Sequence, residues 1–344
     1  MNRRMQDSGT EYIEFLILGQ GLAGTCLALR LAMEGRSFRI LASGLRDSAS
    51  EKAAGLMNPV TGRRMALTWN YDKIWPLSIS FYREAMNFLG IPDSRLFSTR
   101  SIRKALHSTE EINFLEAKSA WAGYQDIIRI EGLKPAEEPV FENLRGWAIS
   151  ESGARLDVAE FLSVARRYFL QNGYYLDQDF LKNELQETEQ GWEWNKQQFK
   201  SVVSCLGLGC PWISPELWAV KGQIYILSGL ENWGRDVLKT EHFLIPLDNG
   251  LVLAGSTYER EFEHSLPDET GLQTITGELT SKLKQEVRIE ESWAGIRPTT
   301  VDRRPVIRKL GKNLFAINGL GSKGVSLAPY AANELLAMLQ TEAE

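Results

Sequence analysis

A glycine cluster between an apolar run and a helical pattern constrains this chain more than any other feature. Residues 12–18 are apolar apart from Glu14 and predict a buried strand that ends at the turn Gly19-Gln20-Gly21-Leu22-Ala23-Gly24. Residues 25–34 have helical apolar spacing, Gly35 is placed to end that helix, and residues 37–41 predict a second strand. This order of strand, glycine turn, helix and strand predicts the βαβ unit that binds a dinucleotide.

Each glycine of this turn has a physical role. Gly19 permits the tight turn, Gly21 lets a pyrophosphate approach the backbone, and Gly24 lets the helix pack against the strand. The helix N-terminus then offers free N–H groups and the positive end of its dipole to the phosphates. We therefore predict cofactor contacts along this turn, including Leu22 and Ala23.

One feature expected of a dinucleotide site is missing from the second strand. An Asp or Glu ordinarily ends this strand and binds the adenosine ribose. Here Ile40-Leu41-Ala42-Ser43-Gly44 occupies the place, so Ser43 or a backbone group is left as the candidate ribose contact.

The C-terminal part of the chain contains an arginine between a glycine and a proline, followed by a second glycine-rich loop. Arg297 stands in Trp293-Ala294-Gly295-Ile296-Arg297-Pro298-Thr299. Residues 314–318 predict a strand, residues 319–324 form the loop, and a final helix is expected from about 326 to 339. A helix N-terminus after such a loop is a second anion-binding position.

Length and composition exclude several classes of protein. At 344 residues the chain is long enough for about two domains with full cores. It has 39 Lys and Arg against 44 Asp and Glu, a balance that disfavours nucleic-acid binding outside a local basic patch. Three cysteines and three scattered histidines predict neither a disulfide framework nor a metal site. We expect no signal peptide in the first residues and no apolar stretch that spans a membrane, and hence a soluble, cytoplasmic protein.

In their order along the chain, these motifs resemble the flavin-dependent amine oxidase family of glycine oxidase and D-amino-acid oxidase. Residues 19–24 resemble its opening motif, and Ala53-Ala54-Gly55-Leu56 is similar to its flavin-wrapping segment. The most specific match is 293–299 with Asp302 and Pro305. Residues 53–59 and 319–324 are most similar to one branch, the oxidase half of the bifunctional enzyme that makes 5-methylaminomethyl-2-thiouridine in tRNA.

The resemblance implies an α/β (α+β) fold with a Rossmann-like FAD-binding domain and a second domain whose antiparallel sheet roofs the flavin. The FAD-binding domain would comprise residues 10–64, 151–209 and 296–344, and the substrate domain residues 65–150 and 210–295. It further implies a non-covalently bound FAD and an amine or amino-acid oxidase or dehydrogenase, which transfers hydride from carbon to flavin. The electron acceptor is left open.

The resemblance also implies site residues. Arg297 matches the family arginine that pairs with a substrate carboxylate, and a guanidinium holds a carboxylate through two parallel hydrogen bonds. Lys323 is expected to face the flavin or an anionic substrate, with a solvated lysine as the alternative. These two are the candidate catalytic residues. The candidate cofactor-binding residues lie in the matching segments: Gly19, Gly21, Leu22, Ala23, Gly24, Ser43, Ala53, Ala54, Gly55, Leu56, Met57, Gly207, Gly295, Arg297, Gly319, Gly321, Ser322, Lys323, Gly324 and Val325.

Three other functions stay open. Oxidation of a carboxymethylaminomethyl uridine in tRNA would use Arg297 for the carboxymethyl group and a basic rim drawn from Arg303, Arg304, Arg308, Lys309 and Lys312. A nicotinamide-dependent dehydrogenase would explain the first βαβ unit but not the C-terminal motifs. A non-enzymatic flavin-binding or partner-docking protein would hold FAD without reducing it.

Overall fold

The computed structural model describes residues 12–44, 48–62, 64–132, 139–213 and 216–341. The first eleven residues, where we expect no signal peptide, lie outside these ranges. In chain order the elements are β1 (Ile13–Leu18), α1 (Leu22–Met33), β2 (Phe38–Leu41), β3 (Leu56–Met57), β4 (Val60–Thr61), β5 (Ala66–Leu67), α2 (Tyr71–Phe88), α3 (Asp93–Leu96), β6 (Phe97–Leu106), α4 (Thr109–Ser119), β7 (Arg129–Gly132), β8 (Gly146–Leu156), α5 (Val158–Gln171), β9 (Tyr175–Leu176), β10 (Gln186–Glu187), β11 (Trp192–Trp194), β12 (Gln197–Ser204), β13 (Trp218–Ser228), β14 (Val237–Lys239), β15 (Phe243–Pro246), β16 (Val252–Gly255), α6 (Glu269–Lys282), β17 (Arg288–Thr299), β18 (Val306–Gly311), β19 (Leu314–Asn318) and α7 (Gly324–Thr341).

The first sheet is built around parallel strands in the order β9, β2, β1, β12 and β19. Strand β18 pairs antiparallel with β19, and the β10–β11 hairpin pairs with the start of β12. Side chains of β1 alternate between two cores, because successive residues of a strand point to opposite faces. Phe15 and Ile17 face the helices α1, α5 and α7, whereas Leu16 and Leu18 face Trp192 and the rest of the hairpin core.

The second sheet has the order β17, β13, β16, β15, β14, β6, β8 and β3, with β7 beside β8. Its pairs are antiparallel except β14 with β6, which is parallel. Helix α6 packs on one face of this sheet through Ile275 and Leu279. The long pair β13–β17 lies at one edge and presents its other face toward the first sheet's strand ends.

The structure confirms the predicted fold class and several predicted elements. The opening unit forms as expected, with α1 running from Leu22 to Met33. The expected C-terminal strand and final helix also form, as β19 (Leu314–Asn318) and α7 (Gly324–Thr341). The domain boundaries remain a prediction, and β8 and β17 each run across one of the proposed borders.

Candidate active site

A cavity of about 820 Å³ is lined by residues of both sheets. On one side it is bounded by the turns that follow β1, β2, β9, β12 and β19, at the carboxyl ends of the parallel strands. Open α/β sheets bind their ligands at this edge. On the other side the cavity is bounded by β13, β17 and the residues that follow β16.

The opening glycine turn forms one end of this cavity. The backbone of Gly19 has φ +95°, and a Cβ there would lie 2.8 Å from the carbonyl oxygen of Cys205. A Cβ at Gly24 would lie only 2.0 Å from the carbonyl oxygen of Gly19, so α1 can approach β1 this closely only with glycine. Gly21 precedes α1 without a side-chain cap, and the Leu22 N–H donates to Ser50 Oγ at 3.0 Å. With the Leu22 N–H bonded to Ser50, the N–H groups of Ala23 and Gly24 in the first turn are the ones that can donate to a phosphate group.

The segment after β2 lies along the cavity with small side chains. Gly55 has φ +83°, and a Cβ there would lie 1.7 Å from the carbonyl oxygen of Leu156. The Leu156 N–H donates to the carbonyl oxygen of Gly55 at 3.0 Å, which fixes this close approach. A flat aromatic ring can approach the backbone only where the side chains are small. Ala53, Ala54 and Gly55 line this side of the cavity with such residues.

Two loops from the far side of the first sheet complete this wall. The Asn318 side-chain amide donates to the carbonyl oxygen of Gly207 at 2.9 Å and joins the loop after β12 to the loop after β19. Gly321 and Ser322 line the cavity, followed by Gly324 and Val325 at the start of α7. The N-terminus of α7, which begins at Gly324 and not near residue 326 as expected, therefore meets the cavity.

Most of the predicted site residues meet at this one cavity. Its lining includes Gly19, Gly21, Leu22, Ala23, Ser43, Ala53, Ala54, Gly55, Leu56, Gly207, Gly295, Arg297, Gly321, Ser322, Gly324 and Val325. Four predicted residues lie outside the described lining: Gly24, Met57, Gly319 and Lys323. Gly24 and Met57 pack behind the wall, and Gly319 lies against Thr300.

Lys323 is half-buried beside the glycine loop rather than in the described lining. Burial lowers the pKa of its ammonium group, and the nearby charge of Arg303 lowers it further. A catalytic role for Lys323 stays a prediction.

Arg297 projects from β17 into the cavity and is held by the segment after β16. Its Nη2 donates to Ser256 Oγ at 2.7 Å and its Nη1 to the carbonyl oxygen of Thr257 at 3.4 Å. The guanidinium lies directly over Gly222 of β13, where a Cβ would be 1.8 Å from Nη2. Burial lowers the pKa of Arg297, and the described residues include no carboxylate in an ion pair with it. The site thus holds a cation with unused donors, which suits an anionic ligand.

Sequence reasoning missed a polar network on the opposite face of β13. Lys221 is fully buried, and its ammonium contacts Asp268 and lies 3.7 Å from Glu259. The Gln223 amide donates to Asp268 at 2.8 Å and to Glu259 at 3.0 Å. Thr257 donates to Glu259, so the network fixes the segment that holds Arg297. Alternation along the strand was the available signal, because polar Lys221 and Gln223 flank Gly222 in an otherwise apolar strand.

The residues around this cavity have the properties that a flavin dinucleotide requires. Two helix N-termini for phosphates, a wall of small residues for the ring and an arginine at the ring's end of the site all line the same space. Cys205 also lines it, and burial raises the pKa of its thiol, which disfavours the reactive thiolate. These residues fit FAD, and attachment without a covalent bond stays a prediction.

In the part of the chain that the structure describes, no helix is both long enough and apolar enough to cross a membrane. No group of three His, Cys, Asp or Glu side chains in those ranges is arranged to hold a metal ion.

Comparison with known proteins agrees with this geometry. A curated relative is the tRNA 5-methylaminomethyl-2-thiouridine biosynthesis bifunctional protein MnmC of Idiomarina loihiensis, 22% identical over 95% of this chain and 55% of its own length. The chain therefore spans about half the length of that relative. Glycine oxidase from Geobacillus kaustophilus has a TM-score of 0.77 at 17% identity, covering 96% of this chain and 95% of its own. Iminodiacetate oxidase from Chelativorans sp. BNC1 has a TM-score of 0.72 at 20% identity, covering 95% of each chain.

A family model spans nearly the whole sequence. It matches residues 14–338 and is described as DAO, FAD dependent oxidoreductase. The match covers both sheets, the glycine turn and the arginine of the cavity, and so the chain belongs to the DAO family of FAD-dependent oxidoreductases.

Proposed function

We propose that this enzyme oxidises the C–N bond of a small amino acid or secondary amine that carries a carboxylate. Arg297 is the observation that carries the proposal. Its guanidinium lies in the cavity wall, fixed by Ser256 and Thr257, with no carboxylate partner among the described residues. A carboxylate that reaches it forms two charge-assisted hydrogen bonds in one plane.

The chain's own residues bind and orient the substrate. When bound, FAD supplies the electron acceptor that takes a hydride from the carbon next to nitrogen. Arg297 fixes the carboxylate, and Gly222 leaves the space that lets the guanidinium lie flat against β13. Ile224, Phe243 and Trp293 give the same wall an apolar surface that limits water. Orientation of the reacting carbon is therefore the main contribution that these residues make to the rate.

Anaerobic titration tests the reaction class. The visible spectrum of the purified protein is recorded during addition of glycine, sarcosine, D-amino acids, proline and carboxymethylaminomethyl uridine. Bleaching of the flavin by one amine supports the proposal and identifies a substrate. Each reactive amine is paired with an analogue that lacks the carboxylate, such as dimethylamine for sarcosine. Equal reduction rates for the two members of a pair would remove Arg297 from substrate binding.

A second candidate is oxidation of a carboxymethylaminomethyl group on tRNA. The likeness to the MnmC protein over 95% of this chain favours it. The basic rim weighs against it, because several of its members are engaged within the chain. Arg308 pairs with Glu216 at 2.6 Å, Lys312 donates to the carbonyl oxygen of Glu189 at 2.7 Å, and Arg304 lies 5.5 Å from the ring centre of Trp69. Salt-sensitive binding of tRNA would support this candidate, and no binding at low salt would exclude it.

Family membership decides between the remaining alternatives. A nicotinamide-dependent dehydrogenase and a non-enzymatic flavin protein are both disfavoured for a member of an FAD-dependent oxidoreductase family. The proposal places the enzyme in the cytoplasm and leaves its electron acceptor open between oxygen and a quinone.

A further inference from the structure

The structure brings a carboxylate to the place where the second strand lacks one. Strand β9 runs parallel to β2, with Ile40 opposite Tyr175 and Leu41 opposite Leu176. The residues that follow the two strands therefore leave the sheet side by side, at its carboxyl edge. Residues 42–44 continue β2 and residues 177–179 continue β9, and the latter carry two aspartates.

These two segments are joined by side-chain contacts. The hydroxyl of Ser43 donates to Asp179 Oδ1, and the Gly44 N–H donates to Asp177 Oδ1 at 3.3 Å. Ser43, Gly44 and Asp179 line the cavity, whereas Asp177 lies outside its described lining. The two aspartates thus differ in position: one supports the backbone, and the other faces the cofactor space.

We propose that Asp179 binds the ribose hydroxyls of the adenosine half of FAD. A ribose presents two neighbouring hydroxyls, both donors, and an ionised carboxylate is an acceptor with two oxygens. Ser43 occupies one lone pair of Oδ1, which leaves Oδ2 and the remaining lone pairs for the ribose. Ser43 becomes the residue that orients Asp179. The acid that ordinarily ends the second strand is here supplied by the neighbouring strand.

Phe180 supports this placement. It lines the same cavity directly after Asp179, and its ring centre lies 5.8 Å from that of Trp212. Packing of that ring fixes the backbone on the C-terminal side of the carboxylate. The parallel pairing of β9 with β2 fixes the other side.

The test measures FAD affinity and uses no amine substrate. The holoenzyme is diluted in series, and the dissociation constant is read from the rise in flavin fluorescence on release. We expect Asp179→Ala to weaken FAD binding by about 10- to 100-fold, in the range of a lost hydrogen bond to a charged group. Asp179→Asn keeps the shape of the side chain and one acceptor oxygen, so its FAD affinity should lie between those of Asp179→Ala and the unaltered protein. Asp177→Asn, in the same exposed loop, removes a charge but keeps the acceptor oxygen for the Gly44 N–H, and it is the matched control for Asp179→Asn with a change of less than about threefold.

A second ligand makes the assignment specific to the ribose. FAD whose adenosine lacks the 2′-hydroxyl binds the unaltered protein more weakly, and Asp179→Ala removes most of that difference, because the two changes delete the same contact. The proposal is overturned if Asp179→Ala holds FAD as tightly as the unaltered protein, if Asp177→Asn weakens FAD binding as much as Asp179→Asn, or if Asp179→Ala keeps full discrimination against the deoxy analogue. The proposal for Asp179 concerns FAD binding alone. If none of the amines tested reduces the flavin, that result therefore does not contradict it.

Discussion

A methyl group added at Gly222 should displace the arginine of the site without removing its charge. The added Cβ would lie 1.8 Å from Arg297 Nη2 and 2.3 Å from Cζ, where ordinary contact begins near 3.4 Å. The guanidinium must therefore move by about 1.6 Å. It ends a flexible side chain, so the movement itself is cheap. However, it breaks the 2.7 Å hydrogen bond to Ser256 that fixes the orientation of the guanidinium.

The size of the effect follows from that displacement. A shift of this length carries at least one of the two parallel donors out of reach of a bound carboxylate. A hydrogen bond to a charged group contributes about 1.5–3 kcal/mol. We therefore expect Gly222→Ala to weaken carboxylate binding by about 10- to 150-fold. The free energy of unfolding should fall by no more than about 1.5–3 kcal/mol, the contribution of the lost hydrogen bond to Ser256.

The assay uses acetate as a carboxylate probe and records the change that it causes in the flavin spectrum. Thermal unfolding of the same holoenzyme preparations separates binding from stability. Gly222→Ala combined with Arg297→Ala should bind acetate no more weakly than Arg297→Ala alone, because both changes act on one group. Unchanged acetate affinity in Gly222→Ala would refute the reasoning. So would losses that add in the double variant.

Other parts of the molecule give further expected outcomes. Arg297→Ala should retain FAD and bind acetate about 30- to 900-fold more weakly, the range of about 2–4 kcal/mol for a broken buried charge pair, whereas Arg297→Lys should recover only part of this in the same titration. Gly24→Ala should lower the melting temperature and loosen FAD, since its Cβ would lie 2.0 Å from a backbone carbonyl oxygen, while Gly277→Ala in open space on α6 should be neutral or stabilising. Burial opposes ionisation of Glu278, but hydrogen bonds from His242 and backbone bring its pKa to about 2, below the ordinary 4.5. That stabilisation, about 3 kcal/mol at most, is present above pH 4.5 and lost as the pH falls toward 2. Glu278→Gln should therefore make the melting temperature depend less on pH between these two values.

Each of these expectations has an opposing result. An Arg297→Lys protein that binds acetate as tightly as the unaltered one would mean that charge alone, and not the planar fork, holds the carboxylate. A Gly24→Ala protein as stable as Gly277→Ala would mean that α1 can move away from β1 freely. Equal acid sensitivity with and without the Glu278 carboxylate would place the acid-labile group elsewhere.

Local patterns predicted the parts of the fold that neighbouring residues decide. The turn at Gly19–Gly24 and helix α1 follow from spacing and from backbone needs within a few residues. The lining of the cavity by small residues was also predictable, since glycines at strand ends mark where backbones approach closely. Gly319 marks the limit of that reasoning: its backbone has φ +66°, but a Cβ there would meet Thr300 and not the cavity.

Contacts that depend on the order of strands in a sheet could not be predicted from the sequence. Nothing near β2 indicates that β9, more than 130 residues later, becomes its neighbour and brings Asp179 to Ser43. The pairing depends on α5 returning the chain to the sheet edge, which is a property of the whole fold. When the expected acid is missing from the end of one strand, the residues that follow a neighbouring strand can therefore supply it. The absence alone does not imply a weaker dinucleotide site.

Strand β13 shows why the arginine and the buried lysine belong to one structural unit. Gly222 faces the cavity, and the guanidinium of Arg297 packs against it. Lys221 and Gln223, on either side, face α6 and contact Asp268 and Glu259. A buried ammonium is tolerated only with such partners, because an unpaired charge in the interior is costly. Glu259 ties this cluster to Thr257, whose carbonyl oxygen receives the hydrogen bond of Arg297. The network thus fixes the position of the segment after β16 from behind the sheet. If Arg297 binds a carboxylate as proposed, the orientation of its guanidinium depends in part on residues that lie on the opposite face of β13.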